Sequence, residues 1–199
     1  MIQNYKLIIT GLGNPIPQYQ NTWHNIGKEA LLEFAESLRS QSSYSFTDLS
    51  TQEKNEFITI QLNHKFSNIT LLIPNNIYMN TIGSYLCKYI SYKHILLTIY
   101  DDINLDVNKI KITPKPNRTH KGVLSILNNC KHKIKKLIWI KIGIKTTIYT
   151  NYYKNGLKDY VLTKIPKTYK SQIINNVYPK INNVLNNFIQ NPALAMHGY

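Results

Sequence analysis

The sequence predicts an α/β fold: a single domain with a mixed, mostly parallel central sheet and helices on both faces. Three observations predict it. Short continuous apolar runs recur, Leu7-Ile8-Ile9 and Ile95–Tyr100 among them, as strands covered on both sides require. These runs alternate with segments whose apolar residues return at helical spacing. No internal repeat or long linker divides the 199 residues, a length that one core can serve. The expected domain is therefore 1-199.

Lys6–Leu12 reads as the first buried strand. Ile26, Ala30, Leu31, Phe34, Ala35 and Leu38 place an amphipathic helix over Trp23–Arg39. The polar stretch Ser40–Lys54 reads as a loop. Glu56–Leu62 and Asn68–Pro74 read as strands joined through Asn63-His64-Lys65. Ile77–Ser91 reads as a helix, Ile95–Tyr100 as a buried strand and Lys109–Thr113 as a short one. Pro114 and Pro116 break the pattern before a helix over His120–Cys130, and Leu137–Ile144 is a strand again. Thr146–Asp159 is a polar, tyrosine-rich loop, and Tyr160–Ile165 a short strand or edge segment. Tyr169, Ile173, Val177, Ile181, Val184, Leu185 and Phe188 mark a C-terminal helix that Pro179 should kink or break. Asn191-Pro192 ends it before the tail Ala193–Tyr199.

Composition narrows the function. Lys and Arg number 24 against 10 Asp and Glu, a net charge of +14. Such a surface favours a polyanion, nucleic acid above all. Codon bias in an AT-rich genome would also enrich Lys beside Asn, Ile and Tyr; in either case anionic ligands are attracted and salt weakens them. No apolar run approaches the ~20 residues that cross a bilayer. The start, Met1–Lys6, has no signal-peptide pattern. The two cysteines, Cys87 and Cys130, lack metal spacing and read as thiols of a reducing compartment. A cytoplasmic protein without membrane partners is the expectation.

The chemistry gathers at strand ends, where ligands of such sheets sit. Gly11-Leu12-Gly13-Asn14-Pro15 closes the first strand and Thr22-Trp23-His24-Asn25 opens the first helix. Tyr78-Met79-Asn80 and Tyr100-Asp101-Asp102 stand at the edges of later elements. Gly11 and Gly13 suit close backbone approach at a turn. The full Gly-x-Gly-x-x-Gly pattern of a dinucleotide loop is absent. Together the four groups hold a base, a carboxylate to orient it and two amides to hold a carbonyl. That set suits hydrolysis without a metal or a nucleophilic serine. Imidazole titrates near pH 7 and can take a proton from water. Taken alone, His24 would be a solvated helix-start histidine, and Asn14 or Asn80 a turn former or cap.

The order of motifs carries more than any one of them. Gly-Leu-Gly-Asn-Pro, Tyr19, Thr-x-His-Asn, Tyr-Met-Asn, Asp-Asp-x-x-Leu, a histidine before Gly122, Ile-Gly-Ile and Tyr-Val-Leu-x-Lys run in register from Leu7 to Lys164. In this the chain resembles the bacterial peptidyl-tRNA hydrolases, and its total length agrees. The resemblance implies hydrolysis of the ester between a peptide, or an N-blocked aminoacyl group, and tRNA. It implies a monomer with no cofactor and no metal. It makes His24 the base and Asp101 its orienting carboxylate, with Asn14 and Asn80 holding the substrate. Asp102 competes for the orienting role, but reads by position as a solvated loop carboxylate. Tyr19, Tyr78 and Met79 would shape the substrate pocket, with His120 and Lys121 beside them. Lys111 and Lys141 match basic positions that meet the tRNA end phosphate. Lys131–Lys136 reads instead as a solvated helix end or a source of nonspecific attraction.

The chain also departs from that family's pattern. Ile16 follows Asn14-Pro15 where glycine is usual, and Trp23 precedes His24 where arginine is usual. Before His120 a glycine-rich run with two histidines is replaced by Pro114-Lys115-Pro116-Asn117-Arg118-Thr119. Lys121 replaces an asparagine that binds substrate and water in relatives. Prolines in place of glycines stiffen a loop, and Lys115, Arg118 and Lys121 make it basic. The altered loop keeps a second reading open, a noncatalytic RNA-binding member of the same fold. A generic α/β hydrolase is weaker, because no Gly-x-Ser-x-Gly elbow is present.

Overall fold

A computed structural model describes residues 5–39, 45–48, 56–64, 67–147, 149, 156–191 and 193–197. Its centre is a seven-stranded sheet. The strands are β1 (Tyr5–Gly11), β2 (Ser45–Asp48), β3 (Phe57–His64), β4 (Ser67–Pro74), β5 (His94–Asp106), β6 (Ile110–Thr113) and β7 (Lys136–Lys145). Their order is β2-β3-β4-β1-β5-β7-β6. The middle strands β4, β1, β5 and β7 run parallel, while β2, β3 and β6 are antiparallel to their neighbours. The mixed, mostly parallel sheet matches expectation.

The helices are α1 (Ile26–Arg39), α2 (Ile82–Leu86), α3 (Lys121–Cys130), α4 (Leu157–Leu162), α5 (Lys167–Gln172), α6 (Tyr178–Gln190) and α7 (Leu194–His197). Side chains on a strand alternate between faces, and each central strand feeds two cores. Leu7, Ile9, Ile95, Leu97 and Ile99 pack with Leu31 and Phe34 of α1 and Leu185 and Phe188 of α6. Ile8, Leu96, Tyr100 and Trp139 pack with Ile82 of α2 and Val123 and Ile126 of α3. Helix α1 lies close on the sheet because two glycines meet: a Cβ on Gly11 would fall 2.2 Å from the Gly27 carbonyl oxygen, and one on Gly27 would fall 2.3 Å from that of Ile99.

Several elements differ from expectation. The helix read over Ile77–Ser91 is only α2. Asn14 Oδ1 takes the Met79 N–H at 3.0 Å, so residues 78–81 form a turn instead of a first helical coil. The strand read over Ile95–Tyr100 runs on to Asp106, because β7 keeps pairing with it through a register shift between Asp102 and Asp106. The first coil of the Trp23–Arg39 segment is a 3-10 turn, Trp23–Asn25. Tyr160–Ile165 is not a strand: Tyr160 and Leu162 lie in α4, and pairing is confined to one bridge between Lys164 and Thr22. Buried Tyr160 anchors that helix through its hydroxyl to Ile144 O and Thr146. The C-terminal helix, by contrast, is interrupted near Pro179 as expected: a π turn, Ile173–Val177, precedes Tyr178-Pro179, whose ring cannot continue a regular ladder. The tail holds the short helix α7. Of the loops read over Ser40–Lys54 and Thr146–Asp159, most lies outside the described residues; the described parts include β2 and the start of α4.

Candidate active site

The carboxyl ends of β1, β4 and β5 meet where the chain switches from one side of β1 to the other, the place such sheets offer a ligand. The turn after β1 is tied down on both sides. Leu12 N–H bonds Ile99 O at 2.8 Å, and Leu12 O accepts from Lys28 N–H at 2.9 Å. Asn25 then clamps Asn14: its Oδ1 accepts the Asn14 N–H at 2.8 Å and its Nδ2 donates to Asn14 O at 3.1 Å. The residue after His24 thus builds the Gly-Asn-Pro loop. The motif Thr-x-His-Asn carries Asn25 with no role that spacing alone assigns; an amide directly after the base is the signal that marks it. Trp23, the departure before His24, is buried and stacks on Tyr160 at 5.8 Å. It belongs to the core and not to the cleft.

Asp101 is fully buried and serves two imidazoles. His24 Nδ1 lies 2.9 Å from Oδ1 and 3.0 Å from Oδ2, and His120 Nε2 lies 2.9 Å from Oδ1. The second contact fixes a tautomer. His120 caps α3, and its Nδ1 accepts the Val123 N–H at 3.3 Å, so its Nε2 carries the proton given to Asp101. His24 likewise gives Nδ1–H to the carboxylate, which leaves the Nε2 lone pair free of any partner among the described residues. Burial pushes the Asp101 carboxyl up, but the pull of His24 and His120 outweighs it and holds the group well below the usual carboxylate range. Burial pushes the His24 imidazole down, yet Asp101, by charge and hydrogen bond, leaves it raised above 6.5.

The other predicted side chains divide. Asn14 is buried, and since its Oδ1 accepts from Met79 N–H, Nδ2 is the half left to donate. Met79 is buried beneath the turn. Asn80 and Tyr78 are exposed, and Tyr78 meets Tyr19 edge-on at 6.2 Å. These residues, with His24 and His120, are brought to one place. Lys121 is exposed at the start of α3.

Asp102 is not the solvated carboxylate expected. It is 4% exposed and holds three partners: Asn104 N–H at 3.0 Å, Asn117 Nδ2 at 3.3 Å and Lys141 Nζ at 2.9 Å. The pleat of β5 explains the error, since adjacent residues leave a strand on opposite faces. Asp102 sits with Tyr100, whose hydroxyl accepts the Asn117 N–H at 3.0 Å. Together they tether the 114–120 loop. Lys111 stands directly across from Lys141 on β6 and is exposed, so the two predicted lysines are neighbours, one of them already paired.

His24, Asp101 and His120 also form a set of metal-ligand types, with ligand atoms within 4.8 Å of one another. Those atoms are engaged with each other through N–H···O bonds, so a cation would have to displace both imidazole protons. Cys87 and Cys130 are free thiols. No helix among the described residues is long and apolar enough to cross a membrane.

Comparison with known proteins places the chain in a family and agrees with the fold. The profile of the peptidyl-tRNA hydrolase family matches residues 8–198. A peptidyl-tRNA hydrolase of Phytoplasma australiense is 33% identical over 190 residues, 93% of this chain and 92% of that one. One from Thermodesulfovibrio yellowstonii is 28% identical over 186 residues, 90% of each chain. The crystal structure of the Acinetobacter baumannii peptidyl-tRNA hydrolase superposes with a TM-score of 0.72 at 23% identity, covering 98% of this chain and 94% of that one, and so shares the fold. The chain belongs to the peptidyl-tRNA hydrolase family.

Proposed function

We propose that the protein hydrolyses the ester between a peptide and the 3′ ribose of tRNA, returning both for reuse. The observation that carries this reading is the His24–Asp101 contact, with Nδ1 committed and Nε2 without a partner among the described residues. His24 Nε2 takes a proton from water as the water oxygen bonds to the ester carbonyl carbon. The carbonyl becomes an oxyanion, to which Asn14 Nδ2 donates. On collapse the ribose oxygen leaves and takes the proton from His24, and the peptide departs as a carboxylic acid. Asp101 holds the ring and stabilises the imidazolium between the two steps. Asn80 and the Tyr19–Tyr78 pair receive the peptide side, and Met79 supports them from below.

The basic side receives the tRNA. Lys111 is exposed, Lys141 lies beside it, and Lys115, Arg118 and Lys121 extend the positive surface along the loop. The same reading takes residues 1-199 as one domain, acting as a monomer in the cytoplasm without a cofactor. A noncatalytic RNA binder would leave the assembled dyad without a task. The test is release of the peptidyl group from purified peptidyl-tRNA, with His24→Ala as the control. Release by the wild-type chain and loss in the variant support the reading; no release by the wild type refutes it.

A further inference from the structure

Lys28 stands where an amphipathic helix should be apolar. It shares its face of α1 with Leu31, Ala35 and Leu38, and it is 3% exposed. A buried lysine is costly unless its charge is met. Among the described residues it forms no ion pair. Its Nζ reaches instead two main-chain carbonyls, Asn14 O at 3.3 Å and Asn75 O at 3.4 Å. The first belongs to the loop after β1, the second to the segment after β4. Its stem crosses Gly13, where a Cβ would fall 2.6 Å from Lys28 Cβ and 3.0 Å from its Cδ. The bare α-carbon of Gly13 is what lets the lysine lie there.

We infer that Lys28 is a positioning residue for the hydrolysis: its ammonium bridges the Asn14 and Asn75 carbonyls and so sets the spacing between the loop after β1 and the segment after β4 that leads to Asn80. The inference rests on the proposed reaction. It follows from where the bonds fall. Asn14 holds Met79 N–H with one half of its carboxamide and is left to donate with the other. The Asn14 peptide is already fixed by Asn25, and Lys28 adds the link to the segment after β4. Losing it lets the donor drift from the developing oxyanion, and a misplacement near 1 Å can cost about 10²-fold.

The bridge is also sensitive to alkali. Burial lowers the Lys28 amine to about 8, with the neighbouring Glu29 acting in the other direction. The Glu29 carboxylate accepts from Asn21 N–H. Gly13, Asn14 and Asn75, packed on Lys28 from the other elements, carry no titratable side chain. Below pH 8 the charged donor is present; above it the clamp weakens and turnover falls. This limb is opposite in sign to that of His24, which must lose its proton to act. Burial pushes the Tyr100 hydroxyl and the Cys130 thiol up, too high to mimic it. The sign for stability is reversed. An amine held below its unfolded value of 10.5 penalises the fold at pH 7 and is relieved as pH rises from 8 to 10.5. Lys28→Met, which keeps the stem, should therefore melt no lower than the wild type at pH 7.

The experiment is the kcat and KM of wild-type and Lys28→Met protein on peptidyl-tRNA from pH 6 to 9.5, with melting curves alongside. The expected result is kcat lowered roughly tenfold or more at pH 7, KM within about threefold, the alkaline limb gone and the melting point held. Unchanged kcat, or an alkaline limb that persists in Lys28→Met, would overturn the inference. So would a loss that merely tracks unfolding. If Lys28→Met does not fold, Lys28→Gln carries the same measurement. An inactive wild type would instead refute the proposed reaction, so the two failures are distinct.

Discussion

The two sides of the cleft are built differently. The wall around Asn14, His24 and Asp101 is buried and held by bonds between residues far apart in sequence: Asn14 to Met79, Lys28 to Asn75, His24 and His120 to Asp101. The 114–119 loop opposite is held mainly by near neighbours, Lys115 N–H to Thr113 and Thr119 to Asn117. Asn117 fastens it at one point, to Tyr100 and Asp102. Lys115, Arg118 and Lys121 are exposed along it. The difference assigns tasks. Chemistry needs groups held within fractions of an ångström and shielded from water. Phosphate attraction needs charge near the surface and tolerates looser geometry.

Breaking the buried wall should cost most. Asp101→Asn is expected to lower kcat by roughly 10³-fold, since the imidazole loses both its orientation and its counter-charge. Affinity for tRNA should stay within a few-fold, because phosphates supply it. An equal loss in affinity would mean that the two walls are not separate in function. Asn14→Ala removes one donor at the oxyanion, about 3 kcal/mol or roughly 10²-fold in kcat. Steady-state kinetics with the same substrate check both.

Variants at the junction and on the loop should do less. Asp102→Asn leaves Lys141 unpaired and Asn117 untethered, and its effect is on stability first. A drop in melting temperature of ~5 °C is expected, from about 2 kcal/mol in a half-shielded pair, with kcat lowered less than tenfold. A larger catalytic loss than that of Asp101→Asn would reverse the two carboxylates. Lys121→Asn should leave kcat near wild type and flatten the dependence of log affinity on log salt by about one phosphate contact. A higher kcat with an unchanged slope would place Lys121 in the chemistry instead.

The same contrast explains what could be read in advance. The parallel strands were legible because burial on both faces leaves continuous apolar runs, as at Leu7-Ile8-Ile9. The placing of His24, Asp101 and Asn14 in one cleft was legible because each stands in a short polar motif that directly follows an apolar strand run or opens the first helix. The helix over Ile77–Ser91 misled because a single distant acceptor, Asn14 Oδ1, claims the Met79 N–H, and helical periodicity carries no trace of that bond. Asp102 misled because two adjacent aspartates look alike in sequence, while a strand sends them to opposite faces. Lys28 passed unnoticed for a simpler reason: a lysine in so basic a chain draws no notice, although its place among Leu31, Ala35 and Leu38 was visible. Partnerships that cross between elements are what sequence spacing hides.

Asp101 sets both the tautomer and the basicity of His24. The pH dependence of kcat/KM, which reports the free enzyme, tests it most directly. In the wild type the acid limb should have its midpoint above 6.5, because Asp101 outweighs the effect of burial. Activity should rise with pH through that point as His24 loses its proton. In Asp101→Asn the burial acts unopposed, and the midpoint of the residual activity should fall below 6.5. An acid limb with the same midpoint in both proteins would show that Asp101 does not set the basicity of His24.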